Sequence, residues 1–311
     1  METETASDED SFSAFPKHVW YKDELLYQLK GFWFRPHYLE GVQRVLNLYK
    51  PRPTDVLLAS FPKTGTTWMK SLIYFIVSRS SGSLLDVKHP HELVPSLELQ
   101  VYNSSAGQSS NAACCAKPRL LSTHIPYQIL GEAVATSDCR VVYVTRNPKD
   151  TLASLAHFIA KADNDSDLLS PAAATDMFLK GFVPFGPYYE HVLGFWKEHV
   201  RRPASVFFVT YEELQESPGA HVKRLAEFLN CPFEGEEEVD EVVRKCEFGN
   251  LSGYAANRSS EVPEWIEAPY SSFFRRGTVG DHKNYLEEKD AERIDEMTKE
   301  KFHLAGFTYG V

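Results

Sequence analysis

Cysteine is scarce in this chain. The five present, Cys114, Cys115, Cys139, Cys231 and Cys246, form no CxxC pair. Their odd number and scattered spacing suit neither a disulfide framework nor a zinc site, so a reducing compartment is expected. A basic stripe is missing too. The net charge of −10 argues against a nucleic-acid surface, because holding a phosphate backbone needs one. No apolar run is long enough to span a membrane, "LIYFIV" being too short. The acidic, polar start "METETASDEDSFSAF" has neither the charged and apolar regions of a signal peptide nor the Arg-rich character of a transit peptide. The expectation is a cytoplasmic protein without membrane or nucleic-acid partners. Internal repeats and low-complexity tracts are also absent.

What is present is a chain of 311 residues that is 43% hydrophobic and 13% aromatic, too apolar for disorder and large enough for one substantial core. Residues 1–13 read as a disordered acidic tail and 14–311 as the domain. The aromatic segment "HVWYKDELLYQLKGFWFRPHYLEGVQRVL" should pack on that domain. From Asp55 a strand-then-helix rhythm sets in. "DVLLAS" leads to a helix from about Thr67 to Arg79, "RLLST" to "PYQILGEAV", "RVVYVT" to "KDTLASLAHFIAKA", and "SVFFVT" to "YEELQ" and "VKRLAEFLN". Alternation of this kind predicts an α/β fold with a central parallel sheet flanked by helices. "PAAATDMFLKGFVPFGPYYEHVLGFWKEHV" reads as helical with a Pro/Gly break that forms a lid or pocket wall. Gly249 to Phe274 shows no sustained period and reads as a long loop, functional or disordered.

The turn "SFPKTGTTW" joins a buried strand to a helix start, where free backbone N–H groups and the helix dipole favour an anion. Gly65 allows close backbone approach, Thr66 and Thr67 add hydroxyls, and Lys63 adds an ammonium. The Walker A order is absent, because Lys63 precedes Gly65 instead of following the last glycine. Trp68 is either core or a stacking surface for a base. His124, in "STHIP", falls at the carboxyl end of a strand, where open α/β sheets bind ligands, and is a candidate general base. In "VTRNPKDTLAS", Arg146 and Ser154 suit a second phosphate, with Lys149 and Asp150 expected as solvated helix-start charges. "FFRRG" adds Arg275 and Arg276 beside Gly277.

Taken together, "FPKTGTTW", "STHIP", "YVTRNPKDTLAS", "VTYEEL" and "FFRRGTVGDHKN", in this order and spacing, resemble the cytosolic sulfotransferase family, and its plant members above all. The likeness covers nearly the whole chain after the acidic tail. It implies a single-domain sulfotransferase fold related to P-loop kinases, and transfer of a sulfuryl group from 3'-phosphoadenosine 5'-phosphosulfate (PAPS) to a hydroxyl of a small acceptor. Carried over motif by motif, Lys63, Thr64, Gly65, Thr66 and Thr67 would hold the 5'-phosphosulfate. Arg146, Ser154, Arg275, Arg276 and Gly277 would hold the 3'-phosphate. Trp68, Tyr211 and Phe248 would border the adenine, and His124 would be the catalytic base, with Lys63 neutralising the leaving phosphate. No carboxylate pair is obviously placed for magnesium, so metal-independent transfer is expected. Aromatic residues in "FVPFGPYYE", "SLAHFIA" and "GFWFRPHYL" suggest an apolar acceptor pocket for a flavonoid, steroid, desulfoglucosinolate or other phenol or alcohol.

The chain departs from the commoner family pattern at several positions. Phe61 replaces a frequent Tyr, Ser122 stands where animal members often have Lys, and His282 stands where Trp is usual. Glu287 and Glu288 replace the "TV" of the animal dimer motif, so a monomer or weak dimer is expected. "CEFGN" differs from the common "SFxNL" around Phe248. Two alternatives stay open: a nucleotide-binding homologue without turnover and, less favoured by the missing GK[ST] order, a small-molecule kinase.

Overall fold

The computed structural model describes residues 12–79, 82–103, 118–162 and 169–309. The aromatic N-terminal segment packs on the domain as an antiparallel sheet of three short strands, β1 (Lys17–Val19), β2 (Leu25–Leu29) and β3 (Phe32–Phe34). Lys30 and Gly31 close the β2–β3 hairpin with φ of 49° and 87°, the two positive values of a type I′ turn. Strands this short show no alternation, which is why a reading by period misses them. Of the tail expected over residues 1–13, residues 1–11 lie outside the described residues. Phe12 is buried with its ring 5.2 Å from that of Tyr27, so packing begins earlier than that boundary. Cys114 and Cys115 also lie outside the described residues, and Cys139, Cys231 and Cys246 are free thiols.

The second sheet follows the expected rhythm. Its strands are β4 (Val56–Ser60), β5 (Leu120–Thr123), β6 (Arg140–Thr145) and β7 (Val206–Thr210), all parallel, in the order β5-β4-β6-β7. After β4 the chain crosses to one side for β5 and then to the other for β6. That switch opens a crevice beyond the carboxyl end of β4, the position where such sheets bind ligands.

The helices of eight or more residues are α1 (Pro36–Leu48), α2 (Thr66–Ser78), α3 (Tyr127–Ala135), α4 (Pro148–Ala162), α5 (Pro171–Leu179), α6 (Tyr188–Arg201), α7 (Pro218–Phe228), α8 (Glu236–Cys246) and α9 (Glu288–Thr298). Alternate strand residues serve opposite faces of the sheet. Leu57, Ala59, Val141 and Tyr143 face a core shared with α1, α3 and α6. Val56, Leu58, Val142 and Val144 face one shared with α2, α7 and α8. Burial on both faces explains why these strands are largely apolar rather than alternating. No helix of the described residues is long and apolar enough to cross a membrane.

The stretch from Gly249 to Phe274 is not the structureless loop its composition suggests. It contains short helical segments at Phe248–Gly253, Ala255–Arg258 and Tyr270–Phe273. Buried Asn257 ties the first two together by donating from Nδ2 to the Leu251 carbonyl at 2.8 Å. Helices of four to six residues are too short to display a period.

Candidate functional site

Four of the ligand-facing elements follow directly from the four parallel strands. After β4, the turn Phe61–Gly65 is folded by Thr64, whose buried hydroxyl lies 2.7 Å from the Phe61 carbonyl and 3.0 Å from that of Val144. The Thr64 side chain therefore holds the turn from within the fold and offers nothing to a ligand. Lys63 and Gly65 adopt positive φ of 69° and 107°, a conformation that turns backbone N–H groups into a concavity. A Cβ at Gly65 would stand 2.9 Å from the Tyr211 ring, so glycine is required for both conformation and space. Thr66 and Thr67 open α2, with the Thr66 hydroxyl 2.7 Å from that of Ser60.

Lys63 is half-buried, its Nζ 3.9 Å from the centre of the Phe158 ring and 5.4 Å from that of Phe273. Burial, and then the charges of Arg275, Arg146 and Lys161, hold its pKa down to about 7. Cations crowd together here in a chain of acidic net charge. A bound anion is what relieves such an arrangement.

After β5 comes His124. Its Nδ1 lies 2.7 Å from the Ser60 carbonyl, so Nδ1 carries the proton and donates it there, leaving Nε2 as the acceptor. Its backbone N–H donates to Glu98 Oε1 at 2.7 Å, and its carbonyl accepts from His191 Nε2 at 2.9 Å. Tyr143 in turn donates to His191 Nδ1 at 2.8 Å. Burial pushes the His124 pKa down to about 3, so the ring is neutral near pH 7 and free to take a proton. Phe185, at φ of 65°, sets its ring 5.3 Å from the imidazole and is held there by donating to the Trp33 carbonyl at 2.7 Å. A left-handed phenylalanine is strained, and strain of that kind gathers at functional sites. The expected pocket wall at the Pro/Gly break is thus made by Pro184 and Phe185.

After β6, Arg146 is buried with its guanidinium 4.7 Å from the centre of the Tyr211 ring. Its Nη2 donates to the Thr278 carbonyl at 2.7 Å and to Asp150 Oδ2 at 3.2 Å, while its buried Nε has no protein partner. A phosphate oxygen is the natural acceptor for that N–H. Arg275 and Arg276 both pair with Asp281, and Gly277 passes beneath Phe248, where a Cβ would come within 2.3 Å of the ring. Trp68 stands edge-on to Tyr211, centroids 5.3 Å apart, and its buried Nε1 likewise has no partner.

Asp150 and Lys149 are not solvated helix-start charges. Lys149 pairs with Asp295 at 2.7 Å. Asp150 is fully buried and accepts from the backbone N–H groups of Gly280 and His282, from His282 Nδ1 and from Arg146. Burial alone would raise its pKa, but the His282 hydrogen bond, the Arg146 charge and the two N–H groups outweigh it and bring it to about 2. The histidine in "GDHKN" thus has a structural reason: it joins the loop carrying the second basic cluster to α4. Asp150→Ala is expected to cost about 3 kcal/mol of stability at neutral pH by leaving a buried arginine unpaired, read by urea unfolding. Because the folded pKa is depressed, this contribution is full above the usual carboxylate range and lost as pH falls toward 2. A loss below about 0.5 kcal/mol would fit a solvated side chain instead.

These groups meet in one cavity of about 250 Å³. Lys63, Gly65, Thr66, Thr67, Trp68, His124, Arg146, Ser154, Tyr211, Phe248, Arg275, Arg276 and Gly277 all border it, and Thr64 alone of the expected residues does not. Trp20, Tyr38, Ile159, Phe185, Trp265 and Ile266 border it as well, together with the charged Glu24, Arg35 and Glu267. Tyr188, in the expected apolar stretch, instead belongs to the core and donates to the Arg146 carbonyl at 2.5 Å. Glu98, Asp150, His191 and His91 were missed by sequence reasoning. The "HPHE" run offered one signal, since His89 and Glu92 form a capping box that presents His91.

Comparison with known proteins places this geometry. The sulfotransferase domain family model matches residues 53–306. Cytosolic sulfotransferase 6 of Arabidopsis thaliana is 39% identical over 291 residues, spanning 90% of this chain and 88% of that protein. A crystal structure of a candidate steroid sulphotransferase from Arabidopsis thaliana is similar with a TM-score of 0.76 and 33% identity, covering 98% of both chains. The mouse sulfotransferase SULT7A1, solved with PAP, is similar with a TM-score of 0.69 and 27% identity, over 89% of this chain and 93% of that one.

Proposed function

We propose, from the premise that this chain belongs to the sulfotransferase family, a PAPS-dependent transfer to the hydroxyl of a small, largely apolar acceptor in the cytoplasm. The observation that carries the reading is the juxtaposition, in one cavity, of two separate cationic cradles with a neutral, tautomer-locked His124. The unpartnered Arg146 Nε and the crowding around Lys63 fit a ligand with phosphate at both ends. PAPS supplies an activated sulfuryl group. Lys63, Gly65, Thr66 and Thr67 hold its 5' end, Arg146, Ser154, Arg275, Arg276 and Gly277 its 3'-phosphate, and Trp68, Tyr211 and Phe248 the adenine.

In this reading the acceptor oxygen attacks sulfur in line with the bridging oxygen, whose bond to sulfur breaks. The acceptor proton passes to His124 Nε2 and the negative charge left on the 5'-phosphate is met by Lys63. Burial keeps His124 neutral, and the Ser60 carbonyl supports the imidazolium as it forms. The aromatic lining residues Trp20, Tyr38 and Trp265 suit the flat rings of a flavonoid, steroid or other phenol or alcohol.

Incubation with labelled PAPS and a panel of hydroxylated plant metabolites, in EDTA, is expected to give sulfated product. Tight binding of the desulfated nucleotide with no product from any acceptor would point to a homologue without turnover. Complete loss in EDTA would refute metal-independent transfer.

A further inference from the structure

His91 is buried, borders the cavity, and belongs to none of the motifs that marked the cradles. Its ring plane is fixed by stacking on Trp265 at 5.2 Å and 20°, with Phe273 at 4.4 Å. Both ring nitrogens are engaged. Nδ1 lies 2.9 Å from Lys70 Nζ, and Nε2 lies 3.1 Å from Thr67 Oγ1. Lys70 itself is only 1% exposed, one turn along α2 from the cradle. A buried lysine is costly where an apolar side chain of equal length would pack as well, so its charge needs a use.

The donor and acceptor roles along this row follow from chemistry. Burial lowers the Lys70 pKa to about 7 against the opposing charge of Glu98, and in its ammonium form Lys70 has only hydrogens to give, so it donates and Nδ1 accepts. A neutral imidazole without a proton on Nδ1 carries it on Nε2, and burial together with the Lys70 charge keeps His91 neutral. Nε2–H therefore donates to Thr67 Oγ1. With one lone pair of that oxygen occupied, the Thr67 hydrogen is left for another acceptor, and Thr67 borders the cavity. A run of aligned donors in a water-poor site strengthens each member and presents its last hydrogen to an anion.

We propose that Lys70, His91 and Thr67 form a directional hydrogen-bond relay that aims the Thr67 hydroxyl at the sulfuryl-bearing end of the donor nucleotide, making Lys70 and His91 positioning residues for transfer. The proposal rests on the sulfotransferase reading and adds to it a polarity within the cradle and a second, buried cation behind it.

The test is a double-mutant cycle on kcat/KM for PAPS, with calorimetric binding of the desulfated nucleotide. Thr67→Val and His91→Phe, the latter keeping the stack on Trp265, are each expected to lower kcat/KM about 30-fold, the effect of losing one hydrogen bond to a charged group. The double variant should be at most about threefold worse than the poorer single, since both changes remove one donor. His91→Gln, whose amide can accept from Lys70 and donate to Thr67, should recover activity to within about threefold of the parent. If His91→Phe fails to fold, Lys70→Met paired with Thr67→Val closes the same cycle. Losses that multiply, or a His91→Gln variant as poor as His91→Phe, overturn the relay while leaving the sulfotransferase reading intact. A parent chain that neither binds the nucleotide nor transfers from PAPS overturns both.

Discussion

His124→Ala lowers kcat by a factor on the order of 10² to 10⁴ and leaves binding of 3'-phosphoadenosine 5'-phosphate within about twofold, the expected result if the imidazole acts only on the acceptor proton. The reason lies in the ring's surroundings. Nδ1 is bound to the Ser60 carbonyl, and the residue's own N–H and carbonyl are pinned by Glu98 and by the His191–Tyr143 pair. None of those contacts involves the two cationic clusters, so the deletion should spare the groups proposed to hold the nucleotide. Initial-rate kinetics and calorimetry on one preparation check both halves. A variant retaining more than a tenth of the parent kcat would remove His124 from the role of general base, since positioned proton transfer is worth at least about 10².

Lys63→Met is the second large effect. Methionine keeps the length that lies over Phe158 but removes the charge proposed to meet the leaving phosphate, so kcat should fall by a factor on the order of 10² to 10³. The pH profile gives an independent signature. Burial and the neighbouring Arg275, Arg146 and Lys161 hold Lys63 at about 7 in the free enzyme. The cationic form, which attracts the anionic donor, therefore predominates below that pH and is lost above it. For the parent, kcat/KM for PAPS should be level on the acid side of pH 7 and decline on the alkaline side, by at most about tenfold per pH unit. His124, held at about 3, adds no acid limb between pH 5 and 7. The Lys63→Met variant should lose its share of the alkaline limb. An alkaline limb unchanged in the variant would place the titrating charge elsewhere, Lys70 being also held at about 7.

Much of this was legible in the sequence because it rests on local rules. The strand runs from Val56, Leu120, Arg140 and Val206 are largely apolar since both faces of the sheet are covered, and each is followed by a helical period. The turn "PKTGTTW" needs its glycine, its lysine and its helix start within five residues, so a reader of the chain sees the whole cradle at once. Thr64 shows the limit of that reading: it sits in the motif, yet its hydroxyl is spent on Phe61 and Val144, the second of them 80 positions away. Asp150 shows the converse. It looks like an ordinary acidic residue in the first turn of a helix, and only the return of the chain at Gly280 and His282 makes it the buried anchor of the second cradle.

By itself, then, the sequence determined the α/β class, the order of the parallel strands' motifs and the family. Each of these is encoded in short windows where periodicity or turn chemistry acts. Tertiary structure alone decided that these windows converge, that His124 is locked in one tautomer, and that Lys70, His91 and Thr67 line up behind the cradle. It also decided that Trp20, Glu24 and Arg35, which flank the three short N-terminal strands, border the cavity, and that the Trp33 carbonyl accepts from Phe185. Those outcomes depend on contacts between residues tens to hundreds of positions apart. A hydrogen bond's direction is set by which partner arrives, and the chain carries no local mark of that partner.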